Sequence, residues 1–365
     1  MEIYGPNDRI SNLELWILMF VFTMGSSLNL QIGYAAGHDS WLSAALGTIA
    51  GLGINWIYAF LCQKYPRKSL VEIARILFGP WLGIGVGLLY TWYGVFLGAY
   101  VLRNFTDLTG SVLLPRTPSI IVGSIMICVV AWTLFKGVEV ICRCAIILLV
   151  LTVVSTLLIQ LLQIPDMDPT AVLPVLESGW MPILKGAGQI ATVTFGETVL
   201  FSMLIPYVTR PAAVQKTVLS MVAVVGTFIV VQVLAVILVL GEITSNQLFP
   251  SYTALTYIGV GDFIERIEPF GFTVWIFNEF TKLCVCLFAT TLAFSQTIGS
   301  RDYRFYIIPL GLLILVGSII IHPNQLDVVA FVKDVWPLYS VPFLILVPLC
   351  MLVVALMKRK SWILK

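Results

Sequence analysis

Long apolar runs separated by short polar breaks recur along the whole chain, at 12–36, 40–63, 81–111, 118–135, 140–163, 182–208, 213–240, 269–298, 303–321 and 334–357. A helix needs ~20 apolar residues to cross a hydrocarbon core of ~30 Å, whereas a barrel strand needs ~10 and alternates in polarity. Runs of this length without alternation predict an all-α integral membrane protein with ten transmembrane helices in a single transmembrane domain, 1–365. The first run is too long for a signal peptide core and carries no small-x-small cleavage site, so it is expected to stay in the chain. In RKSLVEIARILFG (67–79), Leu70, Ile73, Ala74 and Leu77 recur at i, i+3, i+4 and i+7 behind a basic start. That pattern predicts an amphipathic segment on the cytoplasmic interface. The Pro-rich, acidic stretch 164–181 reads as an outer connector. The mildly apolar 244–268 reads as an outer loop that is re-entrant or lies on the surface.

Composition agrees with this pattern: 59% of the 365 residues are hydrophobic and 11% charged, against ~25% charged in soluble domains. Lys and Arg then set the orientation. Fifteen fall on one set of loops, including Lys64, Arg67, Lys68 and Arg75 and the basic C-terminal end. Five (Arg103, Arg116, Lys185, Arg266 and Lys333) fall on the other, and Lys282 lies within a run. Both termini are therefore expected in the cytoplasm. The net charge of +2 reflects this asymmetry and implies no nucleic-acid partner. The Cys-x-Cys pairs Cys142/Cys144 and Cys284/Cys286 sit in apolar runs and read as small buried side chains. His38 and His322 are the two histidines, both in outer loops, and offer no histidine metal site. There is no phosphate-binding loop, dinucleotide fingerprint or nucleophile elbow. The reading is of no enzyme, catalytic set, metal or cofactor.

Ten runs divide into five plus five, a first repeat of about 12–163 and a second of about 182–357. An odd number of spans per half makes the halves inverted. Inverted repeats are a common plan of secondary transporters, whose site lies at mid-membrane where discontinuous helices meet. The first helix of each half carries a glycine among hydroxyl or amide side chains at matching depth. Gly25 in TMGSSLN lies thirteen residues after Asn12, and Gly196 in VTFGETV fourteen after Pro182. Both helices are expected to be broken there. Glu197, beside Gly196 in FGETVLFSMLIP, falls near mid-depth, where a charge costs at least ~2.5–3.5 kcal/mol.

Three stretches in order resemble one family. They are PSYTALTYIGVGDFIERIEPFGFTVW (250–275), AVLPVLESGWMPI (171–183) and FGETVLFSMLIP (195–206). The chain resembles the B subunit of spore-germination receptors, the endospore germination permease family, a branch of the amino acid–polyamine–organocation superfamily. The resemblance covers essentially the whole chain. It implies a leucine-transporter-like fold, residence in the spore inner membrane, assembly with receptor A and C subunits, and sensing of a small nutrient ligand such as an amino acid. Helix 1 departs from the family's usual Gly-x-Gly and proline element, reading GSSLNLQIG, so ligand identity does not carry over.

The expected ligand-binding set is Gly25, Ser26, Ser27, Tyr93, Thr194, Gly196, Glu197, Thr198, Asn278 and Thr281. Glu197, Glu279 and Lys282 are expected to couple an ion or proton. Backbone N–H groups freed at Gly25–Ser27 and around Gly196 are expected to receive a ligand carboxylate at half-helix N-termini, with Glu197 or opposing carbonyls taking its ammonium. Glu197 reads as a ligand carboxylate, a protonatable group or a structural tie. Asn278, Thr281 and Lys282 share one helix face, with Glu279 in reach of Lys282. By the resemblance, Lys282 stands in for a bound cation; otherwise it snorkels. Tyr93 either lines the cavity or packs. Arg103 and Asp107 read as an interfacial pair, and Glu265, Arg266 and Glu268 as a solvated or subunit-contacting turn. The leading expectation is a receptor subunit that starts germination through its partners. The rivals are a proton-coupled amino acid permease and a gated channel.

Overall fold

The computed structural model describes residues 9–27, 32–177, 179–247, 249–257, 268–300 and 302–358. The α-helices, in chain order, are α1 (Asn12–Ser27), α2 (Ser40–Lys64), α3 (Leu70–Phe78), α4 (Pro80–Val112), α5 (Ser119–Phe135), α6 (Val138–Gln163) and α7 (Trp180–Gln189). They continue with α8 (Val214–Leu240), α9 (Pro250–Thr256), α10 (Glu268–Ile298), α11 (Ile307–Ile320), α12 (Gln325–Asp334), α13 (Trp336–Val341) and α14 (Val347–Met357). Among the described residues there is no strand, only an isolated bridge that ties Ile10 to Val208.

Seven helical stretches among the described residues are long and apolar enough to cross a membrane. α1 and α5 are shorter apolar helices. The run 182–208 is composite: α7 ends at Gln189, a π-helical stretch spans Ile190–Gly196, and 3-10 turns cover Glu197–Met203 and Ile205–Tyr207. The run 334–357 is also interrupted, by a π-helical stretch at Pro342–Leu346 between α13 and α14. Large apolar side chains such as Trp81, Ile125, Ile147 and Ile320 lie exposed on the outside. A soluble monomer rarely exposes so much apolar surface. The arrangement is that of a multi-pass membrane protein.

The predicted stripe on α3 is buried, with Leu70, Ile73, Ala74 and Leu77 all inside. Its start is set by a capping box in which Ser69 Oγ accepts from Glu72 N and Glu72 Oε2 accepts from Ser69 N. Arg75 then donates to the Thr297 carbonyl at 2.6 Å, which docks α3 onto the end of α10. Of the outer stretch 244–268, the structure describes a 3-10 turn through Asn246, then α9. Residues 258–267, including Glu265 and Arg266, and the side chain of Glu268 lie outside the described residues.

Two glycines of α2 position the π-helical stretch. A Cβ on Gly47 would lie 2.8 Å from Ile190 Cβ and 3.0 Å from the Ala187 carbonyl. A Cβ on Gly51 would lie 2.6 Å from the Phe195 ring. Small residues one turn apart thus let α2 and the irregular backbone come together, as they do between membrane helices generally.

Candidate functional site

Lys282 reaches inward from the middle of α10, and its Nζ lies 2.5 Å from Glu197 Oε2. Both side chains are 3% exposed. The ammonium also sits 5.2 Å from the centroid of the Phe22 ring on α1. Glu279, one turn earlier on α10, is buried beside them. Trp275 donates through Nε1 to the Gly25 carbonyl at 3.1 Å and also bonds the Glu279 carboxylate. Glu279 Oε2 has no further partner among the described residues. Two carboxylates therefore face one ammonium in the bundle interior. Such a pair holds only while both charges are present, because a lone buried charge is far costlier than the pair.

The cluster opens on a small cavity lined by Leu97, Tyr100, Val101 and Asn104 of α4, Val193 of the π-helical stretch, Val328 and Val332 of α12, and Trp336 of α13. Its volume is about 30 Å³, enough for a water or two. The segment leading to Glu197 is tied to the α12 end: Gln189 Nε2 donates to the Lys333 carbonyl at 2.9 Å, and Lys185 pairs with Asp334 at 2.7 Å.

The remaining expected site residues divide. Asn278 faces the bundle interior and accepts from Thr152 Oγ1 at 2.9 Å, while its Nδ2 lacks a partner among the described residues. Thr281 turns its hydroxyl back onto its own helix, to the Phe277 carbonyl. Tyr93 does not line the cavity; its ring stacks on Phe343 at 4.8 Å, and Tyr100, two turns on, takes the lining position. Thr194 is buried. Thr198 belongs to a packing network, donating to Asn55 Oδ1 and the Phe195 carbonyl, with Tyr58 also donating to Asn55. The side chains of Ser26 and Ser27 lie outside the described residues.

The Gly25–Ser27 backbone, expected to offer N–H groups to a carboxylate, is helical as far as Ser27, and residues 28–31 lie outside the described residues. Gly196 does not open the backbone. Its φ of −69 and ψ of −41 are ordinary helical values, and the departure from α-geometry begins earlier, at Ile190. Gly196 serves close packing, since a Cβ there would strike Leu344. Arg103 and Asp107 do pair, at 2.7 Å.

Residues 9–326 match the family described as spore germination protein. The chain belongs to that family. Among its germination-protein relatives, spore germination protein KB of Bacillus subtilis (strain 168) is 31% identical over 96% of each chain. Spore germination protein YndE of the same strain is 23% identical over 82% of this chain and 84% of its own. Among solved structures, the nucleobase-cation-symport-1 family transporter MHP1, in a closed conformation with bromovinylhydantoin bound, superposes with a TM-score of 0.64. The identity is 14%, over 91% of this chain and 77% of that one. MhsT in complex with L-phenylalanine gives 0.60 at 17% identity, over 96% and 99%. The germination-family chain thus has the leucine-transporter-like fold.

Several residues that shape the site in this family member escape the sequence patterns. Asn55 and Tyr58 carried a readable signal, a lone amide and a phenol inside the apolar run 40–63, but their partner across the bundle was not readable. Phe22 and Trp336 carried none, since an aromatic in an apolar run is ordinary packing.

Proposed function

We propose that the chain is the membrane subunit of a nutrient receptor that binds an amino acid in the cavity beside Glu197 and Lys282. In this reading it passes a conformational change to receptor A and C subunits to start spore germination. It has ten spans in two inverted five-helix repeats (12–163 and 182–357), with interruptions near Gly25 and Gly196. It resides in the spore inner membrane with both termini in the cytoplasm. The observation that carries the reading is the buried Glu197–Lys282 pair bordering a small cavity whose other lining is mostly aliphatic and aromatic, with Asn104 and Glu279.

Separating such a pair leaves two uncompensated charges, which is prohibitive unless the ligand supplies both partners. A zwitterion does so without changing net charge: its carboxylate takes Lys282, and its ammonium takes Glu197 or Glu279. Leu97 and the valines of the wall, beside Tyr100, Trp336 and the amide of Asn104, favour a small side chain. Binding then shifts the populations of two states by its differential affinity for the state with the pair exchanged. Glu197→Gln and Lys282→Met spores, with the protein retained at normal level, are expected to lose the amino acid response. The purified variants are expected to lose calorimetric binding across a panel of amino acids. Unchanged response and binding would sink the reading.

The fold shared with transporters favours a second reading, a proton-coupled permease in which Glu197, Glu279 and Lys282 exchange the proton. Uptake of labelled amino acid by the isolated protein in liposomes, dissipated by a protonophore, decides for it.

A further inference from the structure

A second and much larger cavity opens on the lipid-facing surface where α4, α5, α6 and α10 meet. Ile121 and Ile125 of α5 form one wall, Ile147 and Leu151 of α6 the other, and Phe105 and Phe280 the floor. Its volume is about 680 Å³ and its accessible lining is wholly apolar. It is a groove and not an internal void, since Ile125 is 61% and Ile147 65% exposed. Apolar space of this kind is not held by water, which needs polar partners.

A partner helix and a lipid chain compete for such a groove, and the lining decides between them. Helices associate in membranes through small residues that let backbones approach and through polar side chains that bond across. No Gly, Ala or Ser lines this groove; Thr109, Thr117 and Cys144 are its small or polar members, and the other lining side chains are long aliphatic or aromatic. At its mouth, Leu114 and Thr117 both line the groove and are joined by a turn in which Thr117 N donates to the Leu114 carbonyl at 3.0 Å. Arg116, inside that turn, is exposed. It makes no hydrogen bond or ion pair with another described residue. An exposed cation thus stands in the turn that borders the apolar groove.

We propose that the groove is a lipid site that seats an acyl chain of an anionic phospholipid, with Arg116 on the headgroup phosphate. The floor connects it to the charged cluster. Phe105 stacks on Trp275 with centroids 6.1 Å apart, and Trp275 holds the Gly25 carbonyl. Phe280 lies two residues before Lys282 on α10.

The test uses the full chain in phosphatidylcholine vesicles carrying trace phosphatidylglycerol with a diazirine on its acyl chain, or the matching phosphatidylcholine probe. Photolabelled peptides are mapped by mass spectrometry. Label from the phosphatidylglycerol probe is expected to concentrate on 121–125 and 147–151 relative to the exposed face of α11. It should exceed the phosphatidylcholine label there by about fivefold, equivalent to ~1 kcal/mol for one basic residue at an anionic headgroup. Arg116→Gln, on an exposed turn, is expected to erase that headgroup preference and leave chain labelling in place. Label on these walls no denser than on α11, or a preference indifferent to Arg116, overturns the proposal. So does loss of wall labelling when the chain is isolated together with partner subunits, which assigns the groove to a protein helix.

Discussion

Replacing Lys282 with Met removes the ammonium and leaves Glu197 and Glu279 together in the bundle interior. Both members of the pair are 3% exposed and 2.5 Å apart, so at most the water or two that the adjacent cavity admits can take the place of the lost partner. Breaking a buried pair from one side costs ~3–5 kcal/mol, most of it the exposure of an unpaired charge to a low-dielectric surrounding. With an unfolding entropy of ~2.1 cal/mol/K per residue over this chain, that loss lowers the midpoint by roughly 4–7 °C. Glu197→Gln is expected to destabilise as well, by stranding Lys282. The double variant Glu197→Gln/Lys282→Met removes both charges of the pair, and should recover at least ~1 kcal/mol relative to the sum of the singles. Thermal unfolding of the purified full chain in one detergent, followed by tryptophan fluorescence, measures all three against the parent. If the double variant loses as much as the two singles added together, the residues do not act as a pair and the reading of the cluster is wrong.

Two further predictions concern neighbouring regions. Gly47→Ala is expected to cost ~1–3 kcal/mol in the same unfolding assay. Ile190→Ala should rescue it only in part, because it removes the Ile190 Cγ2 contact but leaves those with Ile190 Cβ and the Ala187 carbonyl in place. His322, between α11 and α12, has its imidazole held below the ordinary 6.5, first by burial and then by Arg103, with Asp327 opposing. A base depressed on folding is protonated more readily in the unfolded chain, so stability should fall as pH drops below about 6.5. His322→Gln should flatten that part of the pH–midpoint curve, and an unchanged curve removes His322 as its source.

The helical architecture was legible because it rests on properties local in sequence. Run length and hydropathy locate the membrane-crossing helices, and α3 announced itself through its 3.6-residue stripe; the Ser69–Glu72 capping box that starts it was seen only in the structure. Glu197, Glu279 and Lys282 were legible for a similar reason: a charge inside a twenty-residue apolar run stands out against its own neighbours. Which charge meets which was not legible. Glu279 and Lys282 lie within one turn and looked like natural partners, yet the ammonium goes to Glu197, supplied by an irregular segment across the bundle.

The two glycines show why symmetry in sequence does not translate into equal roles. Gly25 and Gly196 matched in depth and in hydroxyl-rich surroundings, and both were expected to open the backbone for a ligand. In the fold, Gly25 lies in the last described turn of α1, with the Asn278 carbonyl 3.3 Å from where its Cβ would stand and Lys282 Cδ at 3.5 Å. Gly25 is therefore a contact surface for the helix that carries the cation, and its own carbonyl is held by Trp275. Gly196 sits in helical geometry against Leu344, at the end of a π-helical stretch whose position depends on Gly47 and Gly51 of α2. The irregularity that delivers Glu197 is thus fixed by small residues about 140 positions earlier in the chain, where no pattern around Glu197 itself could reveal it. Sequence locates the groups that are costly to bury, and long-range packing decides what each of them faces.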